Sequence, residues 1–484
     1  MNSSSENINV REASVFLKIW AKIKETFSPK DMSVGSPAKR IAEFAVPMLI
    51  GNIAQQLYNT VDTIVVGKYV GDNAISAVGG AAPVLNLMLA LMIGLSTGVG
   101  ILVSQYFGAK DREMLSTSIG NCITLTAIGS AIIMVVGSFA AAPLLRALDT
   151  PEGEIFNWCR DYLMVCFIGI VGTFYYNILS GVLRGMGDSF SALGFLVISA
   201  SLNIVLDLWF VAGLGLEVFG VALATVISQA ISAFCCFLKM MRMKAVFDIK
   251  PKHFKLTKIT VETLRLGIPA GLTQAIFSVA MLIVQRLTNS FGETVMAANV
   301  VVMRVDGFAM MPNFSFGQAM TMYTGQNVGA RKFDRIKKGT VQGTVMAVSV
   351  SAAFLGLILL FGHTIMGLFT NTEELIEMSY GMMCILAVGY VGMGVTQSLA
   401  GVMRGAGDTM TPMWISLFTT VVLRVPVAYA IAYFTRSPEL PVGDYHAIPI
   451  SLLVSWLVGM LVHVIAFLSG KWKKRIPDYR KGDF

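Results

Sequence analysis

The chain contains two copies of one unit. Residues 181–188 read GVLRGMGD and residues 401–408 read GVMRGAGD, 220 positions apart in a sequence of 484 residues. Two other pairs keep nearly the same spacing, because Gln105 and Gln326 open similar motifs 221 positions apart and Pro47 and Pro269 lie 222 positions apart. Short glycine motifs that match by chance would not hold this register along the chain. The sequence is therefore a duplication, and its fold must contain two equivalent halves.

The composition excludes a soluble protein. Hydrophobic residues make up 55% of the chain, charged residues only 14%, and the mean hydropathy is +0.68, whereas about a quarter of the residues of a soluble domain are charged. A membrane-spanning helix needs roughly 20 apolar residues, and twelve such runs occur, the first at about 41–67 and the last at about 447–470. We predict an all-α integral membrane protein with twelve transmembrane helices. Because six spans per half is an even number, the halves insert in the same direction as two pseudo-symmetric six-helix lobes, a parallel repeat.

Lysine and arginine are distributed unevenly between these spans. If both termini lie inside, most basic residues fall in the inner connections and tails, and the outer connections contain only Lys68, Arg146, Arg160 and Arg436. Basic loops favour the cytoplasmic side, so we predict a multi-pass protein of the plasma (inner) membrane with cytoplasmic N- and C-termini. Contact with anionic lipid is expected. Binding to nucleic acid is not, because the basic residues lie in short loops rather than in one stripe.

The spans divide the chain into five parts. Residues 1–37 are a polar cytoplasmic tail in which Phe16, Ile19 and Trp20 recur at helical spacing, which predicts an amphipathic helix on the membrane surface; a disordered tail with accidental periodicity is the alternative. The other parts are the N-lobe (38–240, spans 1–6), a cytoplasmic linker (241–262), the C-lobe (263–470, spans 7–12) and a basic cytoplasmic tail (471–484).

A few polar residues lie where hydrocarbon should surround them. Asp62 in span 1 has no lysine or arginine within three residues, and Asn203 and Asp207 in span 5 are four residues apart on one helix face. Thr225 in span 6 adds a hydroxyl. An ionised side chain in a membrane costs about 2.5 to 3.5 kcal/mol on insertion scales, and two carboxylates in one pocket cannot both stay ionised cheaply. We predict that these four residues form a site for a proton or a hard monovalent cation such as Na+.

The second half lacks this set of residues. Its register places Val284 opposite Asp62, and span 10 has no acid between Glu377 and Asp408. Asp306 in span 8 is the acid that the C-terminal half does contain. It is either a cavity acid or one half of an interhelical ion pair. The ion chemistry is therefore expected in the first half.

Amphipathic side chains predict a central cavity between the lobes. Methionine and aromatic side chains adapt to ligands of different shape, and both occur in spans 7 and 8 together with amides. The predicted lining residues are Gln55 and Asn59 of span 1, and Gln274, Phe277, Met281, Met303 and Asp306 of spans 7 and 8.

At this point the sequence resembles a known family. The repeated Arg-Gly-x-Gly-Asp loops (184–188 and 404–408), the Gln105 and Gln326 motifs, and Val61-Asp62-Thr63 are similar to those of the bacterial MATE (multidrug and toxic compound extrusion) transporters. The resemblance covers about residues 38–470. It implies two six-helix lobes that form a V and export cationic or amphiphilic compounds in exchange for H+ or Na+.

The resemblance also implies residue roles. In archaeal and DinF-like members an N-lobe cation site uses an Asp of helix 1, an Asn and an Asp of helix 5 and a Thr of helix 6, which match Asp62, Asn203, Asp207 and Thr225. Pro47 resembles the proline at which helix 1 of some members bends. The NorM-like pattern, with acids in helices 7 and 10, is not matched, because span 10 has no acid and Gln274 and Ser278 occupy span 7.

The expected function is secondary active multidrug efflux by antiport and alternating access. We expect a monomer without enzymatic activity and without a cofactor other than the coupling ion. The nearest alternative is a lipid-linked precursor flippase, whose cavity would need basic residues such as Arg286, Arg304 and Arg424. A remote alternative is an intramembrane aspartyl protease, prompted by the Gly-x-Gly-Asp sequences. We predict structural roles for the loop residues, which are Arg184, Asp188, Arg404 and Asp408.

Overall fold

The computed structural model of the chain describes residues 27–147, 150 and 152–476. The predicted amphipathic segment and the last eight residues, 477–484, lie outside this part. The long helices of the described part are α1 (Pro37–Tyr69), α2 (Asp72–Gly108), α3 (Arg112–Ala147), α4 (Glu154–Ile168 with Ile170–Gly185), α5 (Ser189–Asp207), α6 (Glu217–Met241), α7 (Lys258–Ser290), α8 (Glu293–Gly329), α9 (Phe333–Gly367), α10 (Glu373–Gly405), α11 (Met410–Leu417, Phe418–Leu423 and Arg424–Phe434) and α12 (Ala447–Leu468).

These helices confirm the prediction of an all-α membrane bundle. By length and hydropathy, ten of the described helices can cross a membrane, and the two segments of α4 together make an eleventh. The helix outside that group is α1, which carries the charged residues Lys39, Arg40, Glu43, Asp62 and Lys68. It is still 33 residues long, more than the roughly 20 that a span requires.

Three helices depart from a straight α-helix. The two segments of α4 meet at Gly169 with a bend of 53°, where a Cβ atom would collide with Val226 of α6. The end of α5 continues as a π-helical turn over Leu208–Gly213, and α11 contains another over Phe418–Leu423. Such π-turns are often found at functional sites. The sequence did not predict these departures.

The duplication is repeated in the turn geometry. Lys110 and Arg331, which follow α2 and α8, have φ values of 56° and 57°, and these are the same positions of the two halves. Gly187 and Gly407 likewise have φ values of 80° and 101° before α5 and α11, a region that glycine occupies without strain. The copied sequences therefore form copied connections.

These four connections, which include the two Arg-Gly-x-Gly-Asp loops, lie together at one end of the bundle, and we call it the motif end. At this end α1 packs against the C-lobe: Ile41 and Phe44 are buried in one apolar cluster with Met320 of α8 and Ile336 of α9. Farther along, Asn52 of α1 donates to Ser315 Oγ of α8 at 3.0 Å. The first helix thus joins the two lobes.

A pair of glycine motifs makes the second junction between the lobes. Gly94 and Gly98 of α2 face Gly267 and Gly271 of α7, in the Gly-x-x-x-Gly spacing that allows helix backbones to approach closely in membranes. A Cβ at Gly98 would come within 2.7 Å of the Gly267 nitrogen and of the Thr263 carbonyl oxygen. The backbones themselves are therefore in contact, and no larger residue fits between them.

Candidate functional site

The four polar residues predicted to form an N-lobe site do meet. The Asn203 amide hydrogen-bonds fully when its NH2 group donates to Asp62 Oδ1 at 2.9 Å and to Asp207 Oδ2 at 3.0 Å. Its oxygen then accepts from the Thr225 backbone N–H at 3.2 Å and from Thr225 Oγ1 at 3.3 Å. Three helices, α1, α5 and α6, thus bring two carboxyl groups, an amide and a hydroxyl together.

The α5 side of the cluster is buried, whereas Asp62 and Thr225 are partly exposed. Asp207 is fully buried, Asn203 is 1% exposed, and the Asp62 and Asp207 carboxyl groups are within hydrogen-bond reach of each other. Asp207 Oδ1 has no hydrogen-bond partner in the described part of the chain. Because two carboxylates this close repel each other, the pair can hold one shared proton or one cation between its oxygens. The site can therefore exchange one positive charge.

Tyr58 also belongs to this cluster and was not predicted from the sequence. It lies one helical turn before Asp62 on α1, and its hydroxyl is 3.4 Å from Thr225 Oγ1 and within hydrogen-bond reach of Asp62. The four-residue spacing places both side chains on one helix face. That spacing could have indicated that Tyr58 contacts the cluster. A tyrosine in a span does not by itself indicate a functional site, because its hydroxyl is tolerated near the membrane surface.

Pro47 lies fifteen residues before Asp62, inside α1. The helix runs on through this residue, which is buried. Proline has no N–H, so the carbonyl oxygen of Glu43 loses its usual helical partner at this point. Whether helix 1 bends here during transport stays a prediction.

A separate cavity of about 360 Å³ lies in the C-lobe. Ligand sites of small molecules usually measure about 300 to 1,000 Å³, so the space suits a compact organic compound. Five of the predicted cavity residues line it, on α7 and α8: Gln274, Phe277, Met281, Met303 and Asp306.

The two predicted cavity residues of α1 do not line this cavity. Gln55 is half-buried and Asn59 is exposed on α1, and neither is among the residues around the C-lobe space. The cavity lies between α7, α8, α10, α11 and α12, so it is not formed between the lobes. The role predicted for Gln55 and Asn59 in a lining shared by the two lobes stays a prediction.

Asp306 lines the C-lobe cavity. Its carboxylate accepts a hydrogen bond of 2.8 Å from the hydroxyl of Tyr390, a fully buried residue of α10. In the described part of the chain, Asp306 forms no ion pair within the 4.0 Å limit for such contacts. Of the two roles that the sequence left open, the structure therefore favours the cavity acid over the interhelical ion pair.

At the motif end, the loop residues hold the helix ends in place. Asp188 caps α5 by accepting from Ser191 N at 3.0 Å and from Ser191 Oγ at 2.8 Å. Asp408 makes the same contacts with Thr411 of α11, at 3.1 and 2.7 Å. Burial raises the pKa of the Asp188 carboxyl, and the bonds from Ser191 oppose that shift. These contacts support the structural role predicted for the two aspartates.

The two copied arginines differ in their surroundings. Arg184 donates to Ser96 Oγ of α2 at 3.2 Å. The repeat places Gly317 opposite Ser96, so Arg404 has no equivalent hydroxyl, and it instead lines a small cavity of about 130 Å³ beside the larger C-lobe one.

Two glutamines cross between the lobes at the motif end. Gln105 at the end of α2 donates from Nε2 to the Gly405 carbonyl oxygen at 2.9 Å, and Gln326 at the end of α8 donates to the Gly185 carbonyl oxygen at 3.1 Å. Each glutamine therefore binds the Arg-Gly-x-Gly-Asp loop of the opposite lobe. This reciprocal contact, which we call the glutamine latch, explains why the two motifs occur together in both halves.

The segment before α1 reinforces the latch. Met32 is buried, and its N–H donates to Gln326 Oε1 at 2.7 Å. Lys30 N donates to the Met186 carbonyl oxygen of the N-lobe loop at 3.2 Å, while Arg335 of α9 donates to the Gly35 carbonyl oxygen at 2.8 Å. The segment thus contacts both lobes, and the lobes are closed at the motif end.

Comparison with known proteins agrees with this architecture. The sequence model of the MatE family matches residues 47–209 and 269–430, one stretch in each lobe. The probable multidrug resistance protein YoeA of Bacillus subtilis is 30% identical over 441 residues, covering 89% of this chain and 93% of that protein. The probable multidrug resistance protein NorM of Thermotoga maritima is 25% identical, covering 93% and 96%.

Solved structures give the same result for the fold. A structure described as the outward-facing conformation of a multidrug resistance MATE family transporter superposes with a TM-score of 0.85 at 25% identity, covering 92% of this chain and 98% of that one. The crystal structure of a MATE protein in its bent conformation gives a TM-score of 0.83 at 26% identity, with the same coverage. With two matching lobes, twelve matching helices and relatives of equal length, the chain belongs to the MatE family and is a membrane transporter rather than an enzyme.

Proposed function

We propose that the chain exports cationic and amphiphilic compounds by antiport with a cation. The observation that carries this proposal is the partly buried N-lobe cluster, which can exchange one positive charge and lies in a different lobe from the cavity that fits an organic compound. The relatives named above are described as probable multidrug resistance proteins. A transporter that binds its ion and its substrate in different places can couple them only through a change of shape.

The cluster can accommodate a proton as the coupling ion. With its NH2 group turned toward Asp62 and Asp207, the Asn203 amide satisfies both carboxyl groups, and turned the other way its oxygen would join theirs as a ligand for Na+. One proton shared between Asp62 and Asp207 removes the repulsion between them. Entry of that proton from outside would lower the affinity for the substrate, because only a difference in binding between two states can drive the change.

The flippase alternative receives less support. Arg286 and Arg304 are exposed and do not line the C-lobe cavity, so Arg424 is the one arginine of the predicted three that does. A pyrophosphate group would need several basic partners. The protease alternative has none, because Asp188 and Asp408 are both occupied as helix caps.

The motif end would face the cytoplasm in this proposal. The short basic loops lie at that end, and positive charge favours the inner side of the plasma membrane. Both termini are then cytoplasmic, the protein acts as a monomer, and basic residues of the motif end contact anionic lipid. Closure of the motif end corresponds to an outward-facing state.

The proposal is tested in everted membrane vesicles. A fluorescent lipophilic cation should be taken up when a proton gradient is imposed, and uptake should stop when that gradient alone is collapsed. Loss of uptake on collapse of the sodium gradient alone would assign Na+ instead of H+. Uptake that survives both treatments would contradict antiport.

The glutamine latch gives a prediction about alternating access. Replacing both Gln105 and Gln326 with leucine removes two inter-lobe hydrogen bonds, each with a net value of about 0.5 to 1.5 kcal/mol. Together they should shift the balance between closed and open motif ends by about 5- to 150-fold. Spin labels on the exposed residues Lys110 and Lys338, one in each lobe, should report longer distances.

The matched control for the latch is Asn86→Leu, which removes an exposed amide from the same helix as Gln105. It should leave the distance distribution unchanged. Equal distributions for the double variant and the wild type would show that the latch does not hold the motif end closed.

A further inference from the structure

In the described part of the C-lobe, the Arg424 guanidinium has no direct hydrogen-bond acceptor. It follows the π-turn of α11 directly and lines the cavity of about 360 Å³. In the described part of the chain its side chain has no hydrogen bond or ion pair, and Nε is buried without an acceptor. Leaving a charged donor of this kind unsatisfied is expensive. The arrangement is understandable if a ligand supplies the acceptor.

An acid lines the same cavity from another helix. Asp306 of α8 is held by Tyr390 and forms no ion pair with Arg424 within 4.0 Å. Two opposite charges therefore line one space, close enough to attract each other but not in direct contact. The remaining wall is largely apolar, formed by Phe277, Met281, Met303, Met310, Phe314 and Trp456.

The corresponding positions of the N-lobe carry different residues. The repeat places Ile204 opposite Arg424, and Leu423 and Val427 opposite Asn203 and Asp207. The two lobes thus carry opposite charge on corresponding helices. One copy carries acids at the proposed ion site, whereas the other carries a guanidinium next to a cavity.

We infer that the C-lobe cavity binds zwitterionic amphiphiles, with the acidic group of the ligand on Arg424 and its amine on Asp306. This inference rests on the proposed export function and names its substrate class more narrowly. A compound with only a cationic group leaves Arg424 without an acceptor. A compound with only an anionic group places its negative charge near the Asp306 carboxylate, which repels it. A zwitterion satisfies both, while its apolar part contacts the methionine and aromatic wall.

Equilibrium binding to the purified full-length protein tests the inference without transport. Three dyes with the same ring system serve as probes: a zwitterionic carboxyrhodamine, its cationic methyl ester, and anionic fluorescein. Quenching of tryptophan fluorescence reports occupancy, since Trp456 lines the cavity. The wild type should bind the zwitterion at least about 10-fold more tightly than either other dye, as expected for the gain of one charge-assisted hydrogen bond.

Two variants separate the roles of the charges. Arg424→Gln should weaken binding of the zwitterion by about 10-fold and leave binding of the ester unchanged or tighter. Asp306→Asn should weaken the ester and allow fluorescein to bind about as well as the zwitterion. The matched control is Arg304→Gln, an exposed arginine on α8 two residues from Asp306, which should change no affinity.

Several results would overturn the inference. Equal loss of zwitterion and ester in Arg424→Gln, or no loss of either, would give Arg424 no role in selecting charge. If Arg424→Gln does not fold, the Asp306→Asn series decides, and unchanged exclusion of fluorescein there would contradict the charge-paired cavity. Failure of the gradient experiments with an intact dye preference would contradict antiport alone, and the opposite pattern would contradict the zwitterion site alone.

Discussion

Replacement of Asp62 or Asp207 by asparagine is expected to reduce gradient-driven export to the background of vesicles that lack the protein. Asparagine has the same shape as aspartate but cannot bind and release a proton. To move a two-state transporter from about 1:99 to 99:1, an ion must bind one state about 10⁴-fold more tightly than the other. One remaining carboxylate, no longer opposed by a second, does not provide this difference.

The experiment separates coupling from binding. Because the C-lobe cavity is in the other lobe, both variants should bind a fluorescent cation as the wild type does, while their uptake of it along an imposed proton gradient is lost. The matched control is Asp161→Asn, which removes an N-lobe carboxylate that is about half exposed and paired with Arg160. Full gradient-driven transport by Asp62→Asn would remove the N-lobe cluster from the coupling mechanism.

The N-lobe residues could be identified from the sequence because the membrane makes them conspicuous. A carboxylate in hydrocarbon raises the free energy of the protein and is usually functional. Asp62, Asn203 and Asp207 are conspicuous because the runs around them are apolar. The same consideration identified Asp306. Tyr58 escaped notice because a phenol in a span is ordinary, so only the three-dimensional contact with Thr225 reveals it.

The helices could be predicted for the same reason, since backbone groups in lipid must be satisfied within the segment. What the pattern did not contain is the arrangement of the helices relative to one another. It therefore grouped Arg424, which lines the C-lobe cavity, with the exposed Arg286 and Arg304, which do not. Hydropathy gives the depth of a residue but not the direction in which its side chain points.

The glutamine latch shows a second limit. Gln105 and Gln326 were visible as a repeat. A glutamine at a helix end, however, carries no free-energy penalty for burial in hydrocarbon, so the sequence gives no reason to expect a partner for it. Their acceptors are backbone carbonyl oxygens of Gly405 and Gly185, which carry no signal in the sequence. Duplication explains the pairing: when one copy contacts the other, each motif has its partner in the opposite lobe.

The contact between α2 and α7 should be intolerant of any added side chain. Overpacking a well-packed interior typically costs about 1 to 3 kcal/mol, and at Gly98 the obstacles are the Gly267 nitrogen and the Thr263 carbonyl oxygen rather than a side chain that can turn away. We expect Gly98→Leu to cost at least the upper end of that range and to prevent the lobes from packing. Size-exclusion chromatography after a heat challenge in detergent should show little monodisperse protein.

The matched control for this contact is Gly79→Leu, on the same helix α2, where a Cβ atom meets nothing within 4 Å. It adds the same side chain and removes the same backbone freedom, so any difference between the two variants measures the space at Gly98. Gly267→Leu should behave like Gly98→Leu, because it approaches the same contact from the other lobe and its Cβ would lie 2.9 Å from Leu95 Cα. If Gly98→Leu and Gly79→Leu were equally stable, the two backbones could not lie as close as the structure places them, and the lobes would have to be joined chiefly through α1 and α8.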